Sequence, residues 1–565
     1  MIKFIVAVAG AAGILLYWWY NRYQKRWETR QKLARSWAKP KDRDRNWAQI
    51  RQYHDLIAPQ SSRPIIDDDT WDDLNLDELF ELIDRTESDI GQQLLFDMLR
   101  RPAGDTELLQ RRAQRMQLMA NNEQLRLDFQ MELRNLTGFR ISRLPTLIFG
   151  QLPQLPRWYY GFLAMPVLAL ASVVLGFVNP VFFLGLALLP VVNLIIQSVV
   201  GGRLARFTAA ISGMRPFLSA AEAMGSNEAE HGNPLGDFGD AMRSHSKELR
   251  TLKSRVSKYL HQGGPDNMGT LIWDYLNILL LLKINMFTLS VREVQKHQQT
   301  LQKLYHQLGH LDAIIAAASF KEGLNQQCRP QFKPSGNELR YQQMYHPLLE
   351  DPVPNSITVG ERGILVTGSN MSGKTTFLKT VGVNQILAQT FNFCCAEDAQ
   401  LCFCTLTSSM RRNDDLTEGK SFYMGEVERV KKLIDAAGQS GINNLFLLDE
   451  IFRGTNTIER ISASLEVLKW LNEEQNFVLA STHDLELVDL LEQEYEFYHF
   501  AEEVSKESLT FDYKLKPGHS STKNAIKLLG VCNYPDEIVN GAMKISRVLE
   551  QEGVINYGTG SDTNA

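Results

Sequence analysis

From Trp158 to Gly202 the chain carries no charged residue, a run long enough for two passes of about 20 residues each across a hydrocarbon core. Val178, Asn179 and Pro180 supply the turn between them. The pattern therefore predicts a transmembrane helical hairpin over 157–203. Arg157 before it and Arg203 and Arg206 after it place both ends on the cytoplasmic side, and Trp158, Tyr159 and Tyr160 form an interfacial aromatic cluster. The alternative, a pair of buried soluble helices, fits less well because such helices normally keep a polar face. A second apolar stretch, Phe4 to Tyr20, is followed by Arg22, Lys25, Arg26 and Arg30. It reads as an N-terminal membrane anchor within 1–30, with its N-terminus outside. The rival reading is a cleaved signal peptide, but the stretch is long for one and a basic cluster stands where a small-residue cleavage site would be. Tyr275 to Leu282 is also apolar; Asp274 and Lys283 bracket it, which predicts a packed core helix.

Helical periodicity runs through Leu74 to Leu99 and Leu108 to Leu136. Later the pattern changes to short apolar runs. Ile364 to Thr367, Leu445 to Leu448 and Phe477 to Ala480 each have the form of a buried parallel strand, and each ends in residues that carry chemistry.

The first run leads into Gly368, Ser369, Asn370, Met371, Ser372, Gly373, Lys374, Thr375 and Thr376, which fit the P-loop pattern G-x-x-x-x-G-K-[ST] in the strand-to-helix setting it requires. The glycines let the backbone fold into a nest of N–H donors, Lys374 can reach the β- and γ-phosphates, and the Thr375 hydroxyl can ligate Mg²⁺. The second run ends in Asp449 and Glu450, the form of a Walker B strand. Asp449 would hold Mg²⁺ through water, and Glu450 would orient and deprotonate the attacking water. The third leads into Ser481, Thr482, His483 and Asp484, which puts His483 where a γ-phosphate sensor would lie. Taken singly, an acid pair can be a strand cap and a histidine a surface residue. Three elements in this order predict an α/β P-loop ATPase that uses ATP and Mg²⁺.

Between the P-loop and the Walker B strand lies the block Asp414, Asp415, Leu416, Thr417, Glu418, Gly419, Lys420, Ser421, Phe422, Tyr423, Met424, Gly425, Glu426. With the Asn370-Met371 pair and the stretch Asp449 to Thr455, it closely resembles the ATPase domain of the MutS DNA mismatch-repair proteins. The resemblance extends through His346 to Leu349, Pro354-Asn355, Lys516 to Gly518 and a helical tail around Pro535 to Ala542. It also reaches Asp69-Thr70, Asp73-Leu74, Asp84 to Thr86, Gly91 and Arg101-Pro102, similar to the start of the family's helical core, and Leu311-Asp312 with Cys328 to Pro330, similar to its return to the ATPase. It implies a helical core in two parts, 65–156 and 204–335, interrupted by the hairpin. An ATPase domain over 336–550 with C-terminal dimerisation helices and a disordered tail over 551–565 complete the layout.

The resemblance further implies a homodimer with composite sites, in which Ser421 touches the γ-phosphate held by the partner; Ser421 could equally cap the helix that starts beside it. Several residues depart from the family pattern. Phe452 replaces a Gly, Asn456 a small hydroxyl residue, Ser372 a P-loop Gly, and Pro352 the aromatic that stacks on adenine. Members that read mismatches use an N-terminal domain with a Phe-x-Glu wedge. Here only about 70 residues, the anchor included, precede the core, and Phe320-Lys321-Glu322 lies after the hairpin in the link to the ATPase, so mismatch reading is not expected to carry over.

Composition refines the partners. The 565 residues carry a net charge of −5, and a DNA clamp needs basic surface. The segment from Arg243 to Lys258 could touch DNA or anionic lipid, or form a solvated face. Six cysteines, at 328, 394, 395, 402, 404 and 532, lack C-x-x-C spacing and read as buried strand thiols in a reducing compartment, with a zinc site the weaker alternative. The sequence thus predicts a multi-pass protein of the cytoplasmic membrane, its ATPase domain in the cytoplasm, held by about three helices and binding DNA. The alternatives are a nucleotide-gated scaffold acting on a protein or lipid partner and a transporter-like ATPase.

Overall fold

The computed structural model describes residues 2–60, 64–152, 157–258, 275–333, 336–369, 372–410, 422–437, 443–473, 476–504, 509–519, 526, 529 and 534–551. The chain divides into two compact units, Met1–Ile65 with Phe80–Asn325, and Ile66–Leu79 with Gln326–Ala565.

The first unit is helical. Its central pair is the helix Asp89–Arg100 and the 25-residue helix Gln298–Glu322, and a buried acid ties them together. Asp312 accepts hydrogen bonds from the backbone of Glu87 (3.0 Å) and Ser88 (2.8 Å), so one helix supplies the partners that the buried N-terminus of the other lacks. Gly91 permits this approach, because a Cβ there would lie 2.1 Å from the Asp312 carboxylate. Around the pair, Tyr53, Leu94, Phe129, Phe217, Tyr305 and Leu308 are fully buried in one apolar cluster.

The helix Phe183–Glu230 is 48 residues long and has two characters. From Phe207 onward its side chains Ala210, Ile211, Met214, Phe217 and Ala221 belong to the core. Its first part is exposed and apolar: Leu184, Leu188, Ile195 and Val199 are each at least 60% accessible. With the segment before it, this part gives two stretches long and apolar enough to cross a membrane, Tyr159–Gly176 and Pro180–Val199. They pack closely, since a Cβ on Gly185 would sit 2.5 Å from Ser172 Oγ.

The N-terminal helix Ile2–Arg35 is similarly divided. Tyr17, Trp18, Trp19 and Tyr20 are exposed, whereas Leu33 is buried. Arg30 is paired with Asp128, and Arg26 lies 3.7 Å from Glu132.

One expectation for this unit needs correction. The apolar run from Tyr275 is not a packed core helix. Residues 275–280 are helical, Tyr275 is 74% exposed, and the helix breaks at Leu281 (φ +49°) before Leu282–Lys296 begins.

The second unit is built on two sheets. The larger has the order β10-β9-β4-β8-β7-β6, from β4 (Gly363–Thr367), β6 (Cys404–Ser409), β7 (Asn443–Asp449), β8 (Phe477–Ser481), β9 (Tyr495–Val504) and β10 (Leu509–Pro517). All neighbours are parallel except β9 and β10. The central strands read as continuous apolar runs because both faces are covered; every residue of β4 and β8 is buried. The smaller sheet, β1-β5-β2-β3, joins Gln331–Phe332, Asp398–Leu401, Leu339–Met344 and Asn355–Val359. Cys394, Cys395, Cys402 and Cys404 are buried and Cys328 is partly so; Cys532 lies outside the described residues.

Residues 66–79, grouped by sequence with the helical core, instead fold with this unit. Asp73 is fully buried there, accepting from Ser408 Oγ (2.7 Å) and from the backbone of Met410 (2.9 Å). Asp69 pairs with Arg429 and Lys432. Leu74 lies under Gly382 of the helix Lys374–Phe391, where a Cβ would come within 2.9 Å of it. A short acidic helix, Asp68–Asp73, is thus held by side chains that follow it in sequence by more than 330 residues, a relationship periodicity cannot reveal.

Candidate active site

Strand order creates the site. Because β8 lies between β4 and β7, the three sequence signals emerge side by side at the carboxyl edge of one parallel sheet, where ligands of open α/β sheets bind. Ser481 pairs in register with both Val366 and Asp449. The backbone continues this contact past the strand ends: Thr482 N–H donates to Val366 O (3.1 Å) and Glu450 N–H to Ser481 O (3.0 Å).

Gly368 (φ +141°) and Gly373 (φ +108°) bound the loop, and both need a backbone conformation that residues with a Cβ rarely adopt. Lys374 opens the helix Lys374–Phe391; its Nζ donates to Gly368 O (2.8 Å) and Ser369 O (2.9 Å), curling back across the loop. Ser372 is 1% exposed, and its hydroxyl is buried with no hydrogen-bond partner among the described residues. Such a polar atom, inside a turn of backbone donors at a helix N-terminus, fits an anion. Thr376 lines the same space. Asn370 and Met371 lie outside the described residues, as do Ser421 and residues 411–420; the helix after them begins at Phe422.

Thr375 and Asp449 meet directly: Thr375 Oγ1 donates to Asp449 Oδ2 across 2.6 Å, and Ser481 Oγ donates to Asp449 Oδ1. Hydroxyl and carboxylate on adjoining elements form the hard oxygen set that suits Mg²⁺. Glu450, one residue on, adopts φ +51°, which turns its side chain out of the strand's alternation. There it touches His483 Nε2 and the Arg453 guanidinium, with Lys374 Nζ at 4.0 Å.

His483 Nδ1 donates to Gly368 O at 3.1 Å. Its Nε2 faces the Glu450 carboxylate. Burial first, then the charges of Lys374 and Arg453, hold the His483 pKa below its usual value.

Lys374, Thr375, Asp449, Glu450 and Arg453 line a cleft of about 620 Å³, within the range of small-ligand sites; His483 lines a second cavity that shares Glu450 and Arg453 with it. Tyr513, which the sequence did not mark as a site residue, lines the same cleft as Lys374. Tyr513 has φ +51° inside an irregularity between Phe511 and Leu515, and its ring edge lies 3.4 Å from the position of a Cβ on Gly373. Asn355 fixes that bulge, donating to Tyr513 O (2.9 Å) and accepting from Leu515 N–H (2.8 Å). Pro352 and His346 line the cleft as well. Glu426 accepts from the backbone of Arg453 (3.2 Å) and Gly454 (3.0 Å), tying the helix Phe422–Ala437 to the turn after the Walker B strand. In that turn Phe452, where the family has Gly, takes φ +61° and packs near Tyr423. A positive φ on an aromatic cannot be inferred from apolar patterning; the signal was its place in a motif where Gly is usual.

A family model described as MutS domain V matches residues 364–550. Among curated proteins, the DNA mismatch repair protein MutS of Thermus aquaticus is 31% identical over 277 residues, 47% of this chain and 33% of that protein. MutS protein homolog 4 of Homo sapiens is 30% identical over 277 residues, 46% of this chain and 29% of its own length. The C-terminal half of this chain belongs to the MutS family. The chain spans about a third of the length of these relatives. The MutS-type sheet, loop and acid pair described above lie largely inside the matched residues.

Proposed function

We propose that this chain is a membrane-tethered, MutS-type ATPase that hydrolyses ATP as a dimer and couples the nucleotide state to its grip on DNA. One observation carries the reading: Lys374, Thr375, Asp449, Glu450 and His483 converge at the carboxyl edges of three adjacent strands. In this arrangement the P-loop backbone and Lys374 bind the phosphates. Thr375 and Asp449 would hold Mg²⁺, which neutralises charge on the phosphoryl oxygens. Glu450 orients a water and takes its proton, and His483 monitors the γ-phosphate from the neighbouring strand. Ser421 would complete the site of a second copy.

The two exposed apolar stretches and the N-terminal helix support the tether, and the arginines that flank the hairpin support a cytoplasmic ATPase unit. The names of the relatives support DNA as the partner.

Glu450→Gln tests the chemistry. It should keep ATP bound while lowering turnover by about 100-fold or more; undiminished turnover removes Glu450 as the base. Binding of the solubilised protein to DNA, measured against salt, tests the partner, because contacts to phosphates weaken steeply as salt rises. Salt-independent or absent binding favours a scaffold that acts on protein or lipid. For the composite site, Ser421→Ala should slow hydrolysis and spare nucleotide binding; equal loss of both counts against a trans role.

A further inference from the structure

Within the first unit, the exposed part of the helix Phe183–Glu230 carries two polar side chains that turn inward. Asn193 is fully buried although its neighbours Val192, Leu194 and Ile195 are exposed. Its amide donates to Leu279 O at 2.8 Å, and Gln197 donates to Asn277 O at 3.3 Å. The partner segment therefore runs antiparallel to the long helix: as its numbering rises from 277 to 279, it moves from the level of Gln197 to that of Asn193. It then breaks. Leu281 is fully buried with φ +49° and ψ +38°, a left-handed conformation that L-residues adopt reluctantly. After the break the helix Leu282–Lys296 heads back, and Phe287 packs at 6.4 Å from Phe207 of the long helix.

The break frees carbonyls, and side chains meet them. Asn193 covers Leu279 O and Asn285 covers Leu280 O at 3.2 Å; Asn277 and Asn285 are themselves 4% and 5% exposed. In water such carbonyls would need no partner. In hydrocarbon, non-helical backbone is tolerated only where protein satisfies it. Amides placed on an otherwise apolar stretch, all facing the break, match that requirement.

We infer that residues 275–281 are a re-entrant element that dips into the bilayer beside the long helix and contacts lipid acyl chains, so that the membrane-embedded part contains more than the hairpin and the N-terminal helix. The inference rests on the membrane reading of the hairpin. Asn193 lies six residues inside the end of the apolar stretch at Val199, a depth of about 9 Å at helical rise. Tyr275, 74% exposed at the shallow end, then falls at interface level, where tyrosine is favoured.

The test uses the full chain in phospholipid vesicles with a fluorophore on a cysteine introduced at Leu280, Val192 or Lys247, the labelled parent chain serving as blank. Lipids spin-labelled in mid-chain and aqueous iodide are the quenchers. The expected result is quenching by lipid at Leu280 and Val192, and by iodide alone at Lys247. Lipid quenching at Val192 with iodide quenching at Leu280 overturns the re-entrant element and leaves the hairpin intact. A Leu280 probe shielded from both quenchers overturns lipid contact, because protein then covers it. Iodide quenching at both positions overturns the membrane reading itself. Adding Asn193→Leu should abolish lipid quenching at Leu280 and preserve it at Val192. Unchanged quenching at Leu280 would show that Asn193 does not hold the segment.

Discussion

Thr375 and Asp449 stand 74 residues apart in sequence and 2.6 Å apart in space, hydroxyl to carboxylate. This bond joins the first turn of the P-loop helix to the end of β7, so the two oxygens that would ligate Mg²⁺ are already in place. Thr375→Ala removes one ligand and leaves an acceptor on Asp449 unmatched. Magnesium-dependent ATP turnover should fall on the order of 100-fold, and Thr375→Ser, which keeps the hydroxyl, should restore most of it. Steady-state turnover against Mg²⁺ concentration is the measurement; equal activity in the Ala and Ser variants would remove Thr375 from the metal set.

The acid after Asp449 behaves differently because its backbone does. Glu450 leaves the strand at φ +51° and is gathered by Arg453, His483 and Lys374. Arg453→Ala frees the carboxylate from its closest cation while keeping the base itself. We expect kcat to drop about 10-fold with ATP affinity little changed. An unchanged kcat would show that Arg453 only shapes the turn.

The site's main strokes were legible because its signals are local. Gly368, Lys374, Asp449 and Glu450 announce themselves through runs of apolar residues that end abruptly, and strand order brought the runs together as parallel-sheet logic requires. What stayed hidden was non-local or conformational. Asp73 reads as one acid among several in a short polar segment; only the fold shows that it is buried beneath Ser408 and Met410. Tyr513 lies in an alternating edge strand, and nothing in that alternation reveals the bulge that swings it toward the P-loop. The run at Tyr275 misled because charged brackets do not distinguish a packed core helix from one that breaks.

Asp73 offers a stability test. It is fully buried and holds Ser408 Oγ and the Met410 amide at once. Asp73→Ala leaves both donors without their acceptor and removes one of the two carboxylates beside the Arg429 guanidinium, which keeps Asp69. The loss should be about 3 kcal/mol, visible as faster hydrogen exchange in β6, with Asp73→Asn losing less. Unchanged protection of β6 would show that residues 66–79 are not integral to the second unit.

His346 gives the unit a pH dependence. Burial, and secondarily Lys379, lowers its pKa to about 4, against about 6.5 in an unfolded chain. Its Nδ1 accepts the Leu348 N–H at 3.3 Å, a bond that only the unprotonated nitrogen can make. The native state therefore binds the proton less readily than the unfolded state. Stability from this group is fully present above about pH 6.5 and is lost as pH falls toward 4, on the order of 3 kcal/mol in all. Urea unfolding across that interval should show the loss, and His346→Gln should flatten it. An equally steep profile in the variant would assign the dependence to other groups.

Pro352 stands where the family pattern puts an aromatic for the adenine base, yet the cleft it lines is not without one. Tyr513 faces the same space from the β10 bulge, its ring over the end of the P-loop, and the Asn355 amide holds that bulge by donating to Tyr513 O and accepting from Leu515 N–H. If this ring takes the base, stacking worth about 1–3 kcal/mol should appear in KM and not in kcat, because the base is remote from the γ-phosphate. Tyr513→Ala should raise KM for ATP about 10-fold at nearly constant kcat. Tyr513→Trp should retain affinity, and Asn355→Ala, which releases the bulge without touching the ring, should reproduce part of the loss. Because stacking tolerates any purine, the ratio of ATP to GTP turnover should stay near the parent's in every variant. A Tyr513→Ala protein with unchanged KM would place the base elsewhere in the cleft, beside Pro352 and Val353.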